Sequence, residues 1–236
     1  MIRSLVFVAG LTGRTIWSTA RLILARIRGV PQGPGSIYEA IPREWARDLL
    51  RSAEIEVRVT GGEHLSGVGT CVYCANHTSF VDPGALIGAV PGSVRFVAKR
   101  SLFHIPVFGT ALRLTGQIPV DRGNRDAAVD SFSEAGRILR NGVSAAVFVE
   151  GTRSRDGSLQ PFKKGAFVLA IGLQVPCVPV YIAGARALMP RGGFLPRRGT
   201  VDVRIGAPIP TAGLTYEDRD ALRDQCWNAM HALSSA

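Results

Sequence analysis

The sequence predicts an α/β fold: a largely parallel central sheet flanked by helices, preceded by an N-terminal helical hairpin. Three observations carry this. From residue 55 onward, short β-branched and aromatic runs alternate with helix-like segments, the pattern of a layered α/β domain. Before residue 55 there is no such run, only two helix-like stretches split by "VPQGPGS", where prolines and glycines break the chain. Hydrophobic residues make up 46% of 236 residues, enough for a sizeable core. The expected organisation is a membrane-associating hairpin over residues 1–53 and an α/β domain over 54–236.

The elements follow in order. The first thirty residues are apolar but interrupted, and no stretch approaches the roughly 18–20 residues that span a bilayer. Arg14 and Arg21 follow the first apolar run without a small-residue cleavage site, which argues against a signal peptide. Arg3, Arg14, Arg21 and Arg28 are spaced 11, 7 and 7 apart; at helical periodicity they fall within about 40° of one another. A basic stripe on a broad apolar helix is the pattern of an interfacial membrane helix, although Gly10 and Gly13 weigh against an unbroken one. A second helix is expected from Pro42 to about Ser52, with Ile41, Trp45, Leu49 and Leu50 near one face. Expected strands are "IEVRVT", "TCVYCA", "VRFVA", "GQIPV", "SAAVFVE", "VPCVPVYIA" and "VDVRIG". Helices are expected to start near Pro83, Ile105, Arg125, Lys164 and Tyr216, the third ending at Asn141-Gly142.

Charge narrows the partners. The chain carries 28 basic and 18 acidic residues, a net charge of +10. Five arginines precede the first acidic residue, Glu39. Such a balance suits a polyanion: nucleic acid, an anionic membrane or a phosphorylated substrate. The basic N-terminal segment is rich in Leu, Ile and Val rather than in stackable polar residues, so a membrane is expected and nucleic acid is not. The four cysteines do not form a disulfide framework in a chain this long. Cys71 and Cys74 have metal or redox spacing, but in a strand they point to opposite faces, and no second such pair exists. They read as buried structural thiols in a reducing compartment, which fits a cytoplasmic setting.

Chemistry concentrates where strands end. In "CANHTSFVDP", His77 and Asp82 stand five residues apart. On a helix they would diverge by roughly 140°, and on a strand they would face opposite sides. They meet only if the chain turns between them. A carboxylate on one imidazole nitrogen would fix the tautomer and leave the other as a base. Equally, Asp82 could cap a helix opened by Pro83. No G-x-S-x-G elbow is present, and no two of the four histidines have close ligand spacing, so neither a serine nucleophile nor a metal centre is expected. A histidine base without a protein nucleophile points to direct attack by a substrate hydroxyl. "GQIPVDR" ends in Asp121-Arg122, and an arginine there can fork onto a phosphate. "FVEGTRSRDG" delivers Glu150, Gly151, Thr152 and Arg153, with Glu150 suited to substrate hydroxyls and Arg153 to a phosphate; a plain strand-ending turn is the alternative. In open parallel sheets such ends share one edge, so the three clusters are expected to converge.

These segments, with the Val175–Val180 "VPCVPV" strand, resemble in order and spacing the glycerolipid acyltransferases, most closely the 1-acyl-sn-glycerol-3-phosphate acyltransferases. N-H-x-S-x-x-D is intact from Asn76 to Asp82. Pro119 stands where the family often has phenylalanine, and Val149 replaces the proline of F-P-E-G-T-R-S. The resemblance covers about residues 55–210. It implies transfer of a fatty acyl group from a thioester, on coenzyme A or acyl carrier protein, to the hydroxyl of lysophosphatidic acid, giving phosphatidic acid. His77 would be the general base and Asp82 its orienting partner. Arg122 and Arg153 would meet the phosphate, Glu150, Gly151 and Thr152 would shape the acceptor site, and Asn76 and Ser79 join the substrate-side candidates. No metal or organic cofactor is implied. The expected location is the cytoplasmic face of the cell membrane, peripheral or monotopic. The alternatives are another acceptor (glycerol-3-phosphate, a different lysophospholipid or a glycolipid precursor) and a non-catalytic basic protein binding membrane or nucleic acid.

Overall fold

The computed structural model describes residues 2–121, 136, 142–190, 192–193 and 195–235, with side chains from residue 7 onward. The helix expected over about 125–140 lies outside them apart from Gly136, as does Arg122. Two helices come first, α1 (Ile2–Ile27) and α2 (Ile37–Ser52). α1 runs unbroken through Gly10 and Gly13, contrary to the weight given to those glycines; packing against α2 and the domain outweighs about 1 kcal/mol of lost propensity at each. α2 begins five residues before the expected Pro42. Its start is set by Ser36, whose carbonyl accepts from Glu39 and Ala40 N–H, and a proline within the helix removes only one backbone bond. The buried face of α2 is Tyr38, Ile41, Ala46 and Leu50.

The arginine stripe is used differently from the expectation. Arg14 donates to the carbonyl of Asp48 at 2.6 Å, and Arg21 pairs with Glu44 at 2.6 Å. Both therefore tie α1 to α2. What α1 turns outward is largely apolar, with Arg26 among it: Ile16, Trp17, Ile23, Leu24 and Ile27, with Trp17 67% and Ile27 76% exposed.

Seven strands follow: β1 (Ile55–Thr60), β2 (Val72–Ala75), β3 (Val94–Lys99), β4 (Ile118–Val120), β5 (Ser144–Phe148), β6 (Cys177–Ala183) and β7 (Gly199–Ile205). They coincide with the seven expected runs. The sheet order is β1-β7-β6-β2-β5-β3-β4. Every neighbouring pair is parallel except β6–β7, so β1 and β7 run against the other five. The described helices are α3 (Asp82–Ala89), α4 (Phe108–Leu114), α5 (Gly165–Leu173), α6 (Ala185–Leu188) and α7 (Arg219–Ser235).

The sheet is apolar on both faces, as a covered parallel sheet must be. Alternation along β2 sends Cys71, Tyr73 and Ala75 into a core with Leu50, Leu86 and Val203. Val72 and Cys74 go to the opposite face, beside Phe167, Leu222 and Met230. The two cysteines thus part as their spacing requires, and all four thiols are free and buried. β2 lies at the sheet's centre with β5 and β6 beside it, so its carboxyl end is supported on both sides.

Candidate active site

β2 stops at Ala75, and the next residue splices its end to β6. The Asn76 side chain accepts from Ile182 N–H at 2.7 Å and donates to Ile182 C=O at 3.0 Å. It is a buried imitation of one more rung of ladder. The chain then turns through Thr78 and Ser79, and α3 begins at Asp82 with Pro83 in its first turn. The Asp82 side chain does not cap that helix. Its Oδ2 accepts from Thr78 N–H at 2.6 Å, Ser79 N–H at 2.7 Å and His77 Nδ1 at 2.8 Å. Asp82 is fully buried and the His77 side chain 14% exposed. One oxygen therefore shapes the turn and orients the imidazole together. Ser79 completes the turn by donating to Met189 C=O and accepting from Val81 N–H.

β5 supplies the second half. Ala75 pairs with Phe148 in the parallel register, and Val149 N–H donates to Ala75 C=O at 3.0 Å. A proline at 149 would lack that donor. Two residues further on, His77 N–H reaches Glu150 Oε1 at 3.2 Å, and Ser154 N–H donates to His77 C=O at 2.7 Å. The His77 ring stacks on Phe148, centroids 4.0 Å apart and planes inclined by 18°. With Nδ1 on Asp82 and one face on Phe148, the ring is fixed, and Nε2 is the nitrogen left for a ligand. Gly151 takes φ +73°, a left-handed turn that glycine adopts without strain. It brings Thr152 and Arg153 back over the site. The Arg153 guanidinium lies over the Phe80 ring, 3.7 Å from its centroid.

Glu150 is 3% exposed. Burial is the main reason its carboxyl is pushed up to about 8; the His77 N–H bond opposes this and the Asp82 charge adds to it.

His77 opens on a cavity of about 530 Å³, within the size range of small-molecule sites. It runs from the strand ends beneath the hairpin. Thr15, Thr19 and Leu22 of α1 and Trp45 of α2 line it, with Phe96, Leu102, Phe108 and Leu112 from the β3–α4 region. Thr152 and Arg153 stand with His77 and Phe80 at the polar end. A fixed imidazole thus faces a largely apolar space whose lining includes Arg153 and Lys99.

The structure brings together His77, Asp82, Thr152 and Arg153 as expected. Asn76, Ser79, Glu150 and Gly151 are near but not in the cavity wall. Asn76 and Ser79 shape the loop, and Glu150 meets the His77 backbone. The Asn76 amide and the Ser79 hydroxyl are engaged by backbone, as is Glu150 Oε1. Asp121 closes the described part of the β4 segment, and Arg122 lies outside the described residues. The sequence reading missed Phe148 and Phe80 as site residues. Phe148 was findable, because the β2–β5 register places it two residues before the position level with His77. Phe80, an exposed aromatic inside a polar loop, was a weaker signal. Among the described residues there is no cluster of three or more His, Cys, Asp or Glu that could hold a metal.

A mostly parallel α/β sheet carrying a buried-aspartate–histidine pair at its carboxyl edge, open to an apolar cavity, places the chain among α/β proteins with a histidine-centred site. More particularly, the chain belongs to the acyltransferase family, whose sequence model matches residues 56–183. It is 40% identical over 154 residues to the chloroplastic 1-acyl-sn-glycerol-3-phosphate acyltransferase BAT2 of Brassica napus, covering 64% of this chain and 44% of that one. It is 36% identical over 177 residues to 1-acyl-sn-glycerol-3-phosphate acyltransferase alpha of Homo sapiens, covering 75% of this chain and 62% of that one. The chain therefore spans less than two thirds of these relatives' length. Among solved structures it resembles the 1-acyl-sn-glycerophosphate (LPA) acyltransferase PlsC of Thermotoga maritima. The TM-score is 0.78 at 25% identity, covering 99% of this chain and 94% of that one.

Proposed function

We propose that this protein transfers a fatty acyl group from a thioester to the free hydroxyl of 1-acyl-glycerol-3-phosphate, forming phosphatidic acid. The observation that carries this is the His77–Asp82 pair opening directly on a largely apolar cavity. The relatives named as 1-acyl-sn-glycerol-3-phosphate acyltransferases support the choice of acceptor. His77 Nε2 takes the hydroxyl proton as the oxygen attacks the thioester carbonyl, and the protonated ring is stabilised by Asp82. The tetrahedral intermediate collapses with loss of the thiolate, which receives the proton from His77. Proton and leaving group balance without a protein nucleophile. The thioester is already activated, so the reading requires no metal or organic cofactor. Arg153 and Arg122 are the phosphate ligands in this reading. The donor is acyl-coenzyme A or acyl carrier protein, and the acyl chain occupies the cavity under the hairpin.

The reading places the enzyme at a lipid surface, on the cytoplasmic face of the membrane. The exposed apolar face of α1 supports the lipid surface, and among the described residues no helix is long and apolar enough to cross a membrane. The test is product analysis with purified protein, lysophosphatidic acid and a panel of acyl thioesters. His77→Ala should lower turnover by roughly 10²–10⁴ while the protein stays folded. Near-normal transfer by folded His77→Ala would refute the mechanism. Faster acylation of glycerol-3-phosphate or another lysophospholipid would replace the acceptor.

A further inference from the structure

Between β3 and α4 the chain makes an exposed turn with a strained backbone. Val107 has φ 64° and ψ −61°, and Phe108 N–H donates to Pro106 C=O at 2.7 Å. This is the positive-φ γ-turn, a rare and strained form, and a β-branched residue is ill suited to it. The turn is held from both sides. Gly109 packs so closely on the 3₁₀ turn Arg100–His104 that a Cβ would stand 2.2 Å from Phe103 O. Arg113 from α4 also donates to that carbonyl. The strain does not serve the core. It holds Ile105 45% exposed and Val107 38% exposed, with His104 and Pro106 also in solvent.

The surroundings indicate what such a tip meets. From Val94 to Val120 the sequence has no acidic residue and carries Arg95, Lys99, Arg100 and Arg113. Lys99 and Arg100 are exposed just before the tip. An apolar tip with cationic shoulders matches an anionic lipid interface, where apolar side chains enter the acyl boundary and cations meet headgroups. The tip is also anchored to the N-terminal hairpin. α4, which it opens, packs along α1 through Ala111 and Leu114 against Leu22 and Ala25. The tip lies beside the cavity as well: Lys99, Ser101 and Leu102 before it and Phe108 after it are cavity-lining.

We propose that the His104–Val107 turn is a second lipid-inserting element, separate from α1, which seats this side of the cavity on an anionic bilayer. The proposal rests on the membrane reading above and adds a docking site to it. Because the four native cysteines are buried, Ile105→Cys can be labelled selectively with an environment-sensitive fluorophore, with Gln225→Cys on exposed α7 as control. On vesicles of mixed phosphatidylglycerol and phosphatidylcholine, the label at 105 should shift to the blue and be quenched by lipid-borne quenchers. The label at 225 should do neither. Ile105→Ser combined with Val107→Gly should weaken co-sedimentation with the same vesicles about ten-fold. That variant should keep its activity on a water-soluble short-chain acceptor, and glycine relieves the positive φ, so its fold should not suffer. If the wild type co-sediments while the label at 105 stays aqueous, or the double variant binds as tightly, α1 alone docks and the proposal is overturned with the membrane reading intact. If the wild type binds no vesicle of any composition, both fall.

Discussion

Replacing Glu150 with glutamine should remove a specific alkaline weakness of this fold. The carboxyl is buried between the ends of β2 and β5, where Oε1 accepts His77 N–H. Its pKa is raised from 4.5 to about 8. Below pH 4.5 the group is protonated in the folded and unfolded chains alike. From there toward 8 the unfolded chain has released the proton and the folded chain retains it, so stability falls as pH rises. Above 8 both states are ionised and the loss is complete. A pKa difference of one between the two states corresponds to about 1.4 kcal/mol, so the whole displacement amounts to about 3–5 kcal/mol. That is a large part of the 5–15 kcal/mol typical of a domain. Glutamine reproduces the shape of the protonated carboxyl and cannot ionise. Urea unfolding from pH 4 to 9.5 should therefore show the wild type losing several kcal/mol that Glu150→Gln keeps, the two converging at the acid end. Parallel curves for the two proteins would refute the burial argument. A wild type that gains stability with rising pH would refute its sign.

Three further outcomes rest on the same geometry. Asp82→Ala should destabilise by about 3 kcal/mol or more in urea unfolding, because it strands the buried Thr78 and Ser79 amides and the His77 ring; His77→Ala should cost less, since Asp82 still holds the turn. Phe80→Leu keeps an apolar side chain but removes the ring beneath Arg153, and the lost cation–π contact of about 0.5–1 kcal/mol should raise the acceptor KM roughly two- to five-fold with little change in donor KM. Arg14→Gln with Arg21→Gln should loosen the hairpin, read as faster limited proteolysis near residues 28–36, while preference for anionic vesicles persists; the Arg21–Glu44 pair is partly exposed, so the loss should stay within about 1 kcal/mol.

The fold was legible in the chain wherever burial imposes a period. All seven strands stand where β-branched runs stop at polar or glycine-rich breaks, and the opposite burial of Cys71 and Cys74 follows from alternation alone. The reversed direction of β1 and β7 was not legible, because both read as ordinary strands and direction is set by which neighbours they find. The α1 stripe shows a different limit. Helical periodicity placed Arg14 and Arg21 on one face correctly, but it is silent on what that face meets. Asp48 and Glu44 on α2 meet it, so the arginines staple the hairpin and leave the apolar side outward.

The site divides in the same way. His77 and Asp82 were readable because their spacing excludes both helix and strand, and a loop that must return is a strong geometric statement. The spacing did not distinguish contact with substrate from support of what contacts it. Asn76, Ser79 and Glu150 sit inside the polar blocks, yet each has its hydrogen bonds directed at backbone: Ile182, Met189 and His77. A buried side chain in a strand-ending loop is under pressure to satisfy orphan amides and carbonyls, and this competes with any role toward a ligand. The residues of these loops that line the cavity beside His77 are Thr152, Arg153 and Phe80. Polar blocks at strand ends therefore hold two populations, one that builds the loop and one that the loop presents, and the parallel register separates them. Ala75 opposite Phe148 sets His77 level with Glu150, so their contact is an extension of the ladder, and only the chain beyond Gly151 turns away from it toward the cavity.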